Sequence, residues 1–561
     1  MMKILNLRTI LLGIVLFSFN FVSFGQKLAS GPQVLTFHSD VDDTEQPYGL
    51  YLPKNYNAKK KYPLVVMLHG AGSNHRLALR RVFGKSNAEG ESDVEASRYF
   101  PEWKDVDYIV ISSFARGTMG YQGVAEKDVM DMVADAKKRF SIDENRTYLT
   151  GLSMGGGGTM WIGLSYPDMW AAIAPVCPAP PGGTLELVPN AINFPVYFFQ
   201  GDADPAVKVD STRKWVQRFK DAGVQVEYTE YPGVKHDSWV NAYKDEFIFD
   251  WFAKFKRNPY PDHVRFAATQ YKHNKSYWVT LDEFTPGTTA LIDAKFTTKN
   301  RLEISTKGLK TFTLNLTDHP SFKSKSPLEL VINGQTIRAE AGATLTLTQS
   351  GDAWAVNTLN TLASAKKRGA EGPMSEAIAD RHVYVYGTGG SPSQDELAKR
   401  RAEAQKAMEW STYRGDFLGR VMVFPRLLSD KEVRPSDIES SNLILFGTKE
   451  TNSLIEKYSD KLPVSLKAAA EGYGLAYVFP VDNRYILVNS GLPWWTLSDN
   501  PNAPTRQNTP APMNVLGRFQ DFVLFKGTIN NVVSGGRFNN DWTLPNTEVD
   551  KMKASGVVVF K

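Results

Sequence analysis

The chain has 561 residues, which exceeds the size at which one hydrophobic core keeps growing and predicts two to four domains. Its hydrophobic content of 42%, with 12% aromatic residues, is typical of a folded globular protein and excludes a largely disordered one. The 65 Lys and Arg residues exceed the 60 Asp and Glu residues by only five, which gives no electrostatic basis for nucleic-acid binding. The single cysteine, Cys177, excludes an intramolecular disulfide, and its apolar surroundings predict a small buried side chain.

The first 25 residues have the pattern of a secretory signal. Two basic residues, Lys3 and Arg8, precede the apolar run at positions 9–17, and small residues follow near position 25. The run is too short to span a bilayer comfortably, and no other apolar run in the sequence is long enough to do so. We therefore predict a signal peptide over residues 1–25 and a secreted or periplasmic mature protein, with no membrane attachment after signal removal.

Residues 26–258 alternate strand-like and helix-like segments. The strand-like segments are apolar runs or runs of period two, at positions 33–37, 48–52, 62–68, 108–112, 146–149, 171–176, 194–199 and 224–231. Helical periodicity occurs at 128–140 and 212–222, and a last helix is expected to end near residue 256. This strict alternation predicts an α/β domain with a doubly wound sheet and right-handed crossovers.

The pattern changes at the Asn-Pro-Tyr-Pro sequence of residues 258–261. Over residues 263–358 we find only strand-like pieces separated by turn signals, at 277–281, 289–296, 301–305, 311–316, 328–332 and 344–348. They predict a small all-β, sandwich-like domain. Strands and helices alternate again beyond residue 366, with strands expected at 382–386, 420–424, 443–446, 475–479, 485–489 and 522–525. They predict a C-terminal α/β domain over residues 366–561, for which the sequence indicates no role.

The sequence Gly-Leu-Ser-Met-Gly at positions 151–155 lies between a strand pattern and a helix pattern. A serine with glycine two residues before it and two residues after it, at such a turn, is typical of a nucleophile elbow. The turn is so tight that side chains at the glycine positions would clash, and it projects the hydroxyl of Ser153 outward. Ser153 is therefore the predicted nucleophile. The backbone N–H of Met154 faces the space where an oxyanion would form, so Met154 is a predicted oxyanion-hole donor.

A nucleophilic serine needs a histidine that takes its proton and an acid that fixes the tautomer of that histidine. His236 is the one histidine that follows the elbow within residues 26–258, and it lies on the loop after the strand at 224–231. The acid is expected on the loop after the strand at 194–199, where Asp202 and Asp204 both qualify. We favour Asp204, which lies deeper in the loop and can turn back toward the histidine. Asp202 and then Asp210 are the alternatives.

The loop after the strand at 62–68 is expected to supply the second oxyanion donor. Its His-Gly-Ala-Gly sequence at positions 69–72 allows the backbone to approach a bound carbonyl closely. We predict the N–H of Ala71 as this donor, with Gly72 as the alternative and with His69 as a structural brace. Trp239 is the predicted substrate-binding residue, although packing beneath its loop explains it as well. The sequence has no clustered histidines and carboxylates with metal-ligand spacing, so we predict neither a metal nor a cofactor.

Two further groups of residues have both a structural and a functional interpretation. Arg76, Arg80 and Arg81 fit a solvated helix face better than a site for an anionic substrate. The aromatic residues of the C-terminal half fit core packing better than a carbohydrate platform; they are Tyr277, Trp278, Trp354, Trp494 and Trp495.

Residues 34–258 resemble the secreted esterase branch of the α/β-hydrolases, which includes polyhydroxybutyrate-depolymerase-like and feruloyl esterases. The similarity is carried by four stretches, at positions 68–72, 151–156, 201–205 and 233–239. It implies the α/β-hydrolase fold, with Ser153 as nucleophile, Asp204 as acid and His236 as base. It also implies acetyl or feruloyl esters of plant polysaccharide as substrates. The resemblance does not extend beyond residue 258.

We therefore predict a secreted serine carboxylesterase that works through an acyl-enzyme. The competing enzyme class is a prolyl-oligopeptidase-like serine peptidase, which shares the elbow and the order of the triad. Such peptidases usually carry a β-propeller before the catalytic domain, and too few residues precede the strand at 62–68 for one. The competing class outside enzymes is a carbohydrate-binding protein with an accessory hydrolase domain.

Overall fold

The computed structural model describes residues 28–340, 342–357, 365–409, 422–495 and 516–561. The signal peptide predicted over residues 1–25 lies outside these ranges. Within them, no helix combines the length and the apolar character that crossing a bilayer requires. Three successive regions of the chain each build sheets with apolar cores, and the core of the C-terminal region also includes Val41 and Val124 of the N-terminal region.

The N-terminal region forms an eight-stranded sheet. Its strands are β1 (Gly31–Ser39), β2 (Thr44–Leu52), β3 (Tyr62–Leu68), β4 (Ile109–Ser113), β5 (Ile142–Leu152), β6 (Ala172–Val176), β7 (Val196–Gly201) and β8 (Val226–Tyr231). They lie in the order β1-β2-β4-β3-β5-β6-β7-β8. The strands from β4 to β8 are parallel, and β2 is antiparallel to both of its neighbours. Every residue of β3 is buried, as its continuous apolar run predicts.

Helices connect these strands and bury their apolar side chains against the sheet. They are α1 (His75–Val82), α2 (Asp93–Ala96), α3 (Val124–Arg139), α4 (Met154–Ser165), α5 (Val209–Asp221), α6 (Trp239–Ala242) and α7 (Phe247–Phe252), with a 3-10 helix at Leu185–Asn193. Helix α3 begins at Val124 rather than at residue 128, because Gly123, with φ of 59°, turns the chain into it. The expected last helix is two short ones, since Asp245 and Glu246 have positive φ.

The middle region is the expected all-β unit. Its strands are β9 (His263–Ala268), β10 (Lys275–Ser276), β11 (Val279–Phe284), β12 (Ala290–Thr298), β13 (Arg301–Lys307), β14 (Leu309–Asn315), β15 (Leu328–Ile332), β16 (Gln335–Ala339), β17 (Thr344–Ser350) and β18 (Ala353–Asn357). They form two five-stranded sheets, β10-β11-β14-β17-β18 and β16-β15-β13-β12-β9. The side chains that face inward from both sheets form one apolar core. The sequence pattern did not identify β9, β10, β16 and β18.

The C-terminal region is a mixed α/β unit. Its strands are β19 (His382–Tyr386), β20 (Arg426–Ser429), β21 (Asn442–Phe446), β22 (Val464–Leu466), β23 (Tyr473–Val481), β24 (Arg484–Gly491), β25 (Phe522–Lys526), β26 (Val532–Gly536) and β27 (Val558–Phe560). Seven form one sheet, β20-β19-β21-β24-β23-β25-β26, while β22 and β27 pair separately. The helices are α8 (Gln394–Ala407), α9 (Pro435–Ser440), α10 (Ser453–Tyr458) and α11 (Asn546–Ser555).

The strand expected at 420–424 is wrong as far as the structure describes it. Residues 422–424 form no strand, and positions 420 and 421 lie outside the described residues. The N–H of Met422 donates to the carbonyl oxygen of Arg116, and the N–H of Phe424 donates to the Asp42 carboxylate. This apolar run therefore docks on the N-terminal domain, and the strand forms further along the chain, in β20.

Two buried groups of charges join the three regions. In the first, the Arg116 guanidinium lies 2.6 Å from Asp42 and 2.5 Å from Asp128, and all three side chains are almost completely buried. Arg116 also donates to the carbonyl oxygen of Met422. A buried charge is costly without hydrogen-bonding partners. The chain around residue 422 covers Arg116 and supplies one more acceptor for its guanidinium.

The second group centres on the buried carboxylate of Glu126 in α3. Within the N-terminal domain it accepts hydrogen bonds from the Trp161 indole at 2.7 Å and the Tyr166 hydroxyl at 2.9 Å. His273, between β9 and β10, contacts it at 2.6 Å. Lys272 lies 3.8 Å from Glu126 and 3.0 Å from Glu376 of the C-terminal region. One charge cluster thus includes side chains from all three regions.

Candidate active site

Ser153 lies at the turn between β5 and α4 with φ of 55° and ψ of −116°. Such backbone angles cost a non-glycine residue about 1–3 kcal/mol, so the surrounding structure must hold them. The N–H of Ser153 donates to Val176, and its carbonyl oxygen accepts the N–H of Gly157, both at 2.9 Å. A Cβ atom on Gly155 would lie 2.2 Å from the carbonyl oxygen of Leu68. The turn therefore tolerates no side chain there, as the elbow pattern requires.

The structure brings Ser153, His236 and Asp204 together in one hydrogen-bonded series. Nε2 of His236 lies 2.9 Å from Ser153 Oγ, and Nδ1 lies 2.8 Å from Asp204 Oδ2. His236 is on the loop between β8 and α6, and Asp204 follows β7. An ionised carboxylate only accepts hydrogen bonds, so Nδ1 carries the proton and Nε2 is free to accept the proton of the serine.

The Asp204 carboxylate is fully buried. Its Oδ1 accepts the N–H groups of Ala206 and Val207 at 2.8 and 2.9 Å, and its Oδ2 accepts Gln200 Nε2 at 3.0 Å. Burial raises the pKa of Asp204, but hydrogen bonds from His236 and from the two backbone N–H groups outweigh it and lower the pKa below its ordinary value. The group is therefore ionised at neutral pH and can orient the imidazole.

The two alternative acids have other partners. Asp202 Oδ1 accepts the N–H of Gly233 at 2.7 Å, which ties together the loops after β7 and β8. Asp210, in the first turn of α5, pairs with Arg213 at 2.9 Å on the surface. Of the three candidates, Asp204 is the one that contacts His236.

The glycine-rich loop after β3 packs against the elbow. A Cβ atom on Gly70 would lie 3.6 Å from Cβ of Ser153. The buried ring of His69 lies between the carbonyl oxygens of Gly70, at 2.7 Å, and Phe114, at 2.8 Å. Burial lowers the pKa of His69, so the ring is neutral and braces the loop, in agreement with its expected structural role.

The two predicted oxyanion donors are positioned differently. Met154 is the first residue of α4, where backbone N–H groups have no partner within the helix. In the loop after β3, the N–H of Gly72 already donates to Thr118 Oγ1 at 2.9 Å. Within the described ranges no acceptor is found for the N–H of Ala71. Because the N–H of Gly72 already has an acceptor, Ala71 is favoured over Gly72 as the second oxyanion donor.

Trp239 begins α6 and stands edge-on to the ring of His236. The two ring centroids are 5.6 Å apart and the ring planes make an angle of 88°. The indole is half-buried and packs against the apolar core below the loop. Trp239 therefore both supports the His236 loop and presents part of its ring beside the triad.

Cys177 lies directly beneath the same loop, with Sγ 3.6 Å from the carbonyl oxygen of His236. Burial raises the pKa of its thiol to about 12, so the group is neither a nucleophile nor a ready metal ligand at neutral pH. Cys177, Asp204 and His236 offer ligand atoms within 4.8 Å of one another, the one such group found among the described residues. A metal here would have to displace the contacts between His236 and its two partners.

Gln200 is a supporting residue that the sequence reasoning missed. Its Nε2 donates to Asp204 and to the carbonyl oxygen of Val207, and its Oε1 accepts the Thr212 hydroxyl at 2.8 Å. It is fully buried at the end of β7. A polar residue that ends an apolar strand next to the expected acid was the available signal.

Arg80 and Arg81 of α1 have neither of the predicted roles. Arg80 is buried, and its guanidinium donates to the carbonyl oxygens of Ala96 and Ser86. Arg81 donates to the carbonyl oxygen of Lys85 and to the side chain of Asn87. They hold together the insertion between β3 and β4, so the solvated helix face is wrong for both.

The aromatic residues of the C-terminal half follow the favoured interpretation. Four of them are at least 95% buried in the cores of their regions: Trp278, Trp354, Trp494 and Trp495.

A cavity of about 610 Å³ opens beside the triad, and we call it the acyl cavity. Its walls include Ala179, whose N–H donates to the carbonyl oxygen of Ser153, and Ala206 and Val207, which hold Asp204. The remaining walls combine aromatic and proline residues, among them Tyr121 and Trp215, with glycines and polar side chains that include Lys208 and Ser211. The three triad residues do not line the cavity themselves; it adjoins the residues that bond to Ser153 and Asp204.

The N-terminal region is similar to known esterases and serine hydrolases. Residues 42–250 match the model of a family described as "Putative esterase". Among solved structures, a thermostable esterase is 27% identical, over 40% of this chain and 63% of that one, with a TM-score of 0.33. A ferulic acid esterase from Anaeromyces mucronatus is 19% identical, over 40% and 91%, with a TM-score of 0.30. A serine hydrolase from Staphylococcus aureus is 16% identical, over 40% and 98%, with a TM-score of 0.31.

Proposed function

We propose that this protein is a serine carboxylesterase, because residues 42–250 match an esterase family model and the N-terminal sheet has the strand order of the α/β-hydrolase fold. The observation that carries the proposal is the hydrogen-bonded series Ser153–His236–Asp204, with its serine on a strained turn between strand and helix. An acid, a base and a nucleophile in this relation form the apparatus of acyl transfer.

In the proposed reaction, His236 Nε2 takes the proton of Ser153 while Oγ attacks the carbonyl carbon of the ester. The oxyanion that forms accepts hydrogen bonds from the N–H groups of Met154 and Ala71. His236 then gives its proton to the departing alcohol, which leaves Ser153 acylated. Water, deprotonated by the same imidazole, releases the acid and restores the serine. Asp204 remains ionised and stabilises the imidazolium in both steps.

We propose acetyl or feruloyl esters of plant polysaccharide as the substrate class. The acyl cavity, at about 610 Å³, has room for more than an acetyl group. The motif resemblance of residues 34–258 supports the same substrates. The signal pattern at 1–25 supports secretion, and no membrane or nucleic-acid partner is proposed.

The peptidase alternative is less well supported. Prolyl-oligopeptidase-like peptidases usually carry a β-propeller before the catalytic domain. Here the all-β region follows the catalytic domain, and its ten strands form two packed sheets instead of propeller blades. The carbohydrate-binding alternative leaves the aligned triad without a role.

The test compares wild type with Ser153→Ala on four substrates: p-nitrophenyl acetate, methyl ferulate, acetylated xylan and a prolyl anilide. We expect wild type to cleave the esters and Ser153→Ala to lose about 10⁵-fold or more in kcat. Ser211→Ala is the matched control, because Ser211 is an exposed serine on the wall of the same cavity. Cleavage of the anilide alone, or ester cleavage that survives in Ser153→Ala, would contradict the proposal.

A further inference from the structure

A second cavity, of about 280 Å³, continues from the acyl cavity toward the C-terminal region. We call it the distal groove. Met119 and Gln122 line both cavities, so the two adjoin along this edge. With the acyl cavity, the groove falls in the range of about 300–1,000 Å³ that is typical of ligand sites.

The far wall of the distal groove belongs to the C-terminal region. Ser375, Ile378 and Ala379 line it, from a 3-10 helix at Met374–Ile378 and the residue after it. The near wall is formed by the catalytic domain, including Trp161 of α4. The catalytic domain alone would have an open surface at this place.

Hydrogen bonds and ion pairs fix the position of the far wall relative to the other two regions. The Glu371 carboxylate, three residues before the 3-10 helix, accepts the N–H groups of Tyr271 and Lys272. Lys272 Nζ donates to Glu376 at 3.0 Å, inside the 3-10 helix. Arg381, which follows it, pairs with Asp43 between β1 and β2. The wall is therefore a fixed part of the groove.

The lining of the distal groove indicates the chemistry of its occupant. Its charged residues are Lys272 and Glu376, which neutralise each other as an ion pair. Its polar groups are amides and a hydroxyl, from Gln122, Gln270 and Ser375, beside Trp161, whose ring is largely buried. Uncharged donors and acceptors next to an aromatic ring suit a chain of hydroxyl-bearing rings and disfavour an anionic one.

We propose that the distal groove is a subsite for the neutral sugar chain that carries the ester, built jointly by the catalytic and C-terminal regions. The inference rests on the proposed esterase function, and it gives the C-terminal region a role in substrate recognition. The sugar chain lies along the groove while its acyl group enters the acyl cavity, so the subsite adds binding energy at a distance from the reacting carbonyl.

The test fills the groove. Ser375→Trp places an indole in it without touching the triad, and Ser436→Trp makes the same substitution at an exposed position of α9 in the same region. Both are combined with Ser153→Ala for calorimetric binding of xylohexaose, cellohexaose, mannohexaose and, as the anionic probe, hexagalacturonate. Both are also made alone for kcat/KM on p-nitrophenyl acetate and on acetylated xylohexaose.

We expect Ser375→Trp to weaken binding of at least one neutral hexaose about tenfold or more, and to lower kcat/KM on acetylated xylohexaose similarly. Its kcat/KM on p-nitrophenyl acetate should stay within about twofold of wild type, because that substrate does not reach the groove. Equal binding in the two tryptophan variants, or no binding of any neutral hexaose, would overturn the inference. If Ser375→Trp weakens hexaose binding but wild type hydrolyses none of the esters, the proposed function alone would be overturned.

Discussion

The carboxylate of Asp204 offers the sharpest test of the triad, because its four hydrogen bonds constrain what an amide can do in its place. In Asp204→Asn the side chain keeps one oxygen and gains an NH₂ group. The N–H groups of Ala206 and Val207 can only donate, so the oxygen must stay in the Oδ1 position. The NH₂ group then faces His236 and Gln200 where an acceptor is required.

His236 can relieve this conflict by moving its proton from Nδ1 to Nε2. The imidazole is then unable to accept the proton of Ser153, and the nucleophile is not activated. The reactive tautomer returns only if the amide flips and faces two backbone donors with its own N–H groups. Two buried hydrogen bonds are lost, at about 1–3 kcal/mol each, or about 2–6 kcal/mol in total. At about 1.36 kcal/mol for each factor of ten, kcat is expected to fall about 10²–10⁴-fold.

The assay is the kcat of p-nitrophenyl acetate hydrolysis, with circular dichroism and thermal unfolding to show that the variant is folded. Asp202→Asn is the matched control, because its amide oxygen can still accept the N–H of Gly233. It should retain kcat within about twofold of wild type, since one hydrogen bond to the loop is preserved. A folded Asp204→Asn variant that keeps more than about a tenth of wild-type kcat would refute the assignment of the acid.

Two further predictions concern stability. Gly155→Ala should lower the free energy of unfolding by about 3 kcal/mol or more in denaturant, because its Cβ would lie 2.2 Å from the carbonyl oxygen of Leu68. Gly182→Ala is the control. A Cβ at that position would have no atom within 4 Å, so the free energy of unfolding should change little. For Glu126, burial raises the pKa, but the charges of Lys272 and His273 outweigh it and lower the pKa below its ordinary value. Its stabilising contribution is therefore complete above the unfolded-state pKa of about 4.3 and is lost as the pH falls below that value. Glu126→Gln should lower the melting temperature at pH 7 and less so at pH 4, and an equal decrease at both pH values would contradict this reasoning.

The sequence predicted the elbow because its geometry depends on local sterics. Glycine at positions 151 and 155 is needed wherever the strand turns so sharply into the helix, whatever the rest of the fold does. The order of acid and base after the serine was readable for a similar reason, since each follows a strand of the same sheet. The choice between Asp202 and Asp204 was harder, because the two residues lie on the same loop. The conformation of that loop decides which carboxylate faces the imidazole.

What the sequence did not reveal depends on distant parts of the chain. The apolar run at 421–424 has the pattern of a strand, yet its described residues donate to Arg116 and Asp42, more than 300 positions away. Arg80 looked like a surface residue because nothing local shows that the insertion folds over it. The strands β16 and β18 were missed because their exposed faces interrupt the apolar pattern. In each case tertiary contacts override local propensity.

The carboxylate of Glu126 also bears on how this protein could be divided. A fragment that ended at residue 258 would contain the elbow, the acid and the base, yet it would leave Glu126 without His273 and Lys272. The same cut would remove the chain that covers Arg116. Arg116 would keep its ion pairs with Asp42 and Asp128 and lose only its cover, whereas Glu126 would lose both of its cationic partners. The residues that carry the proposed chemistry therefore lie within residues 26–258, whereas the groups that surround Glu126 and Arg116 extend beyond residue 258.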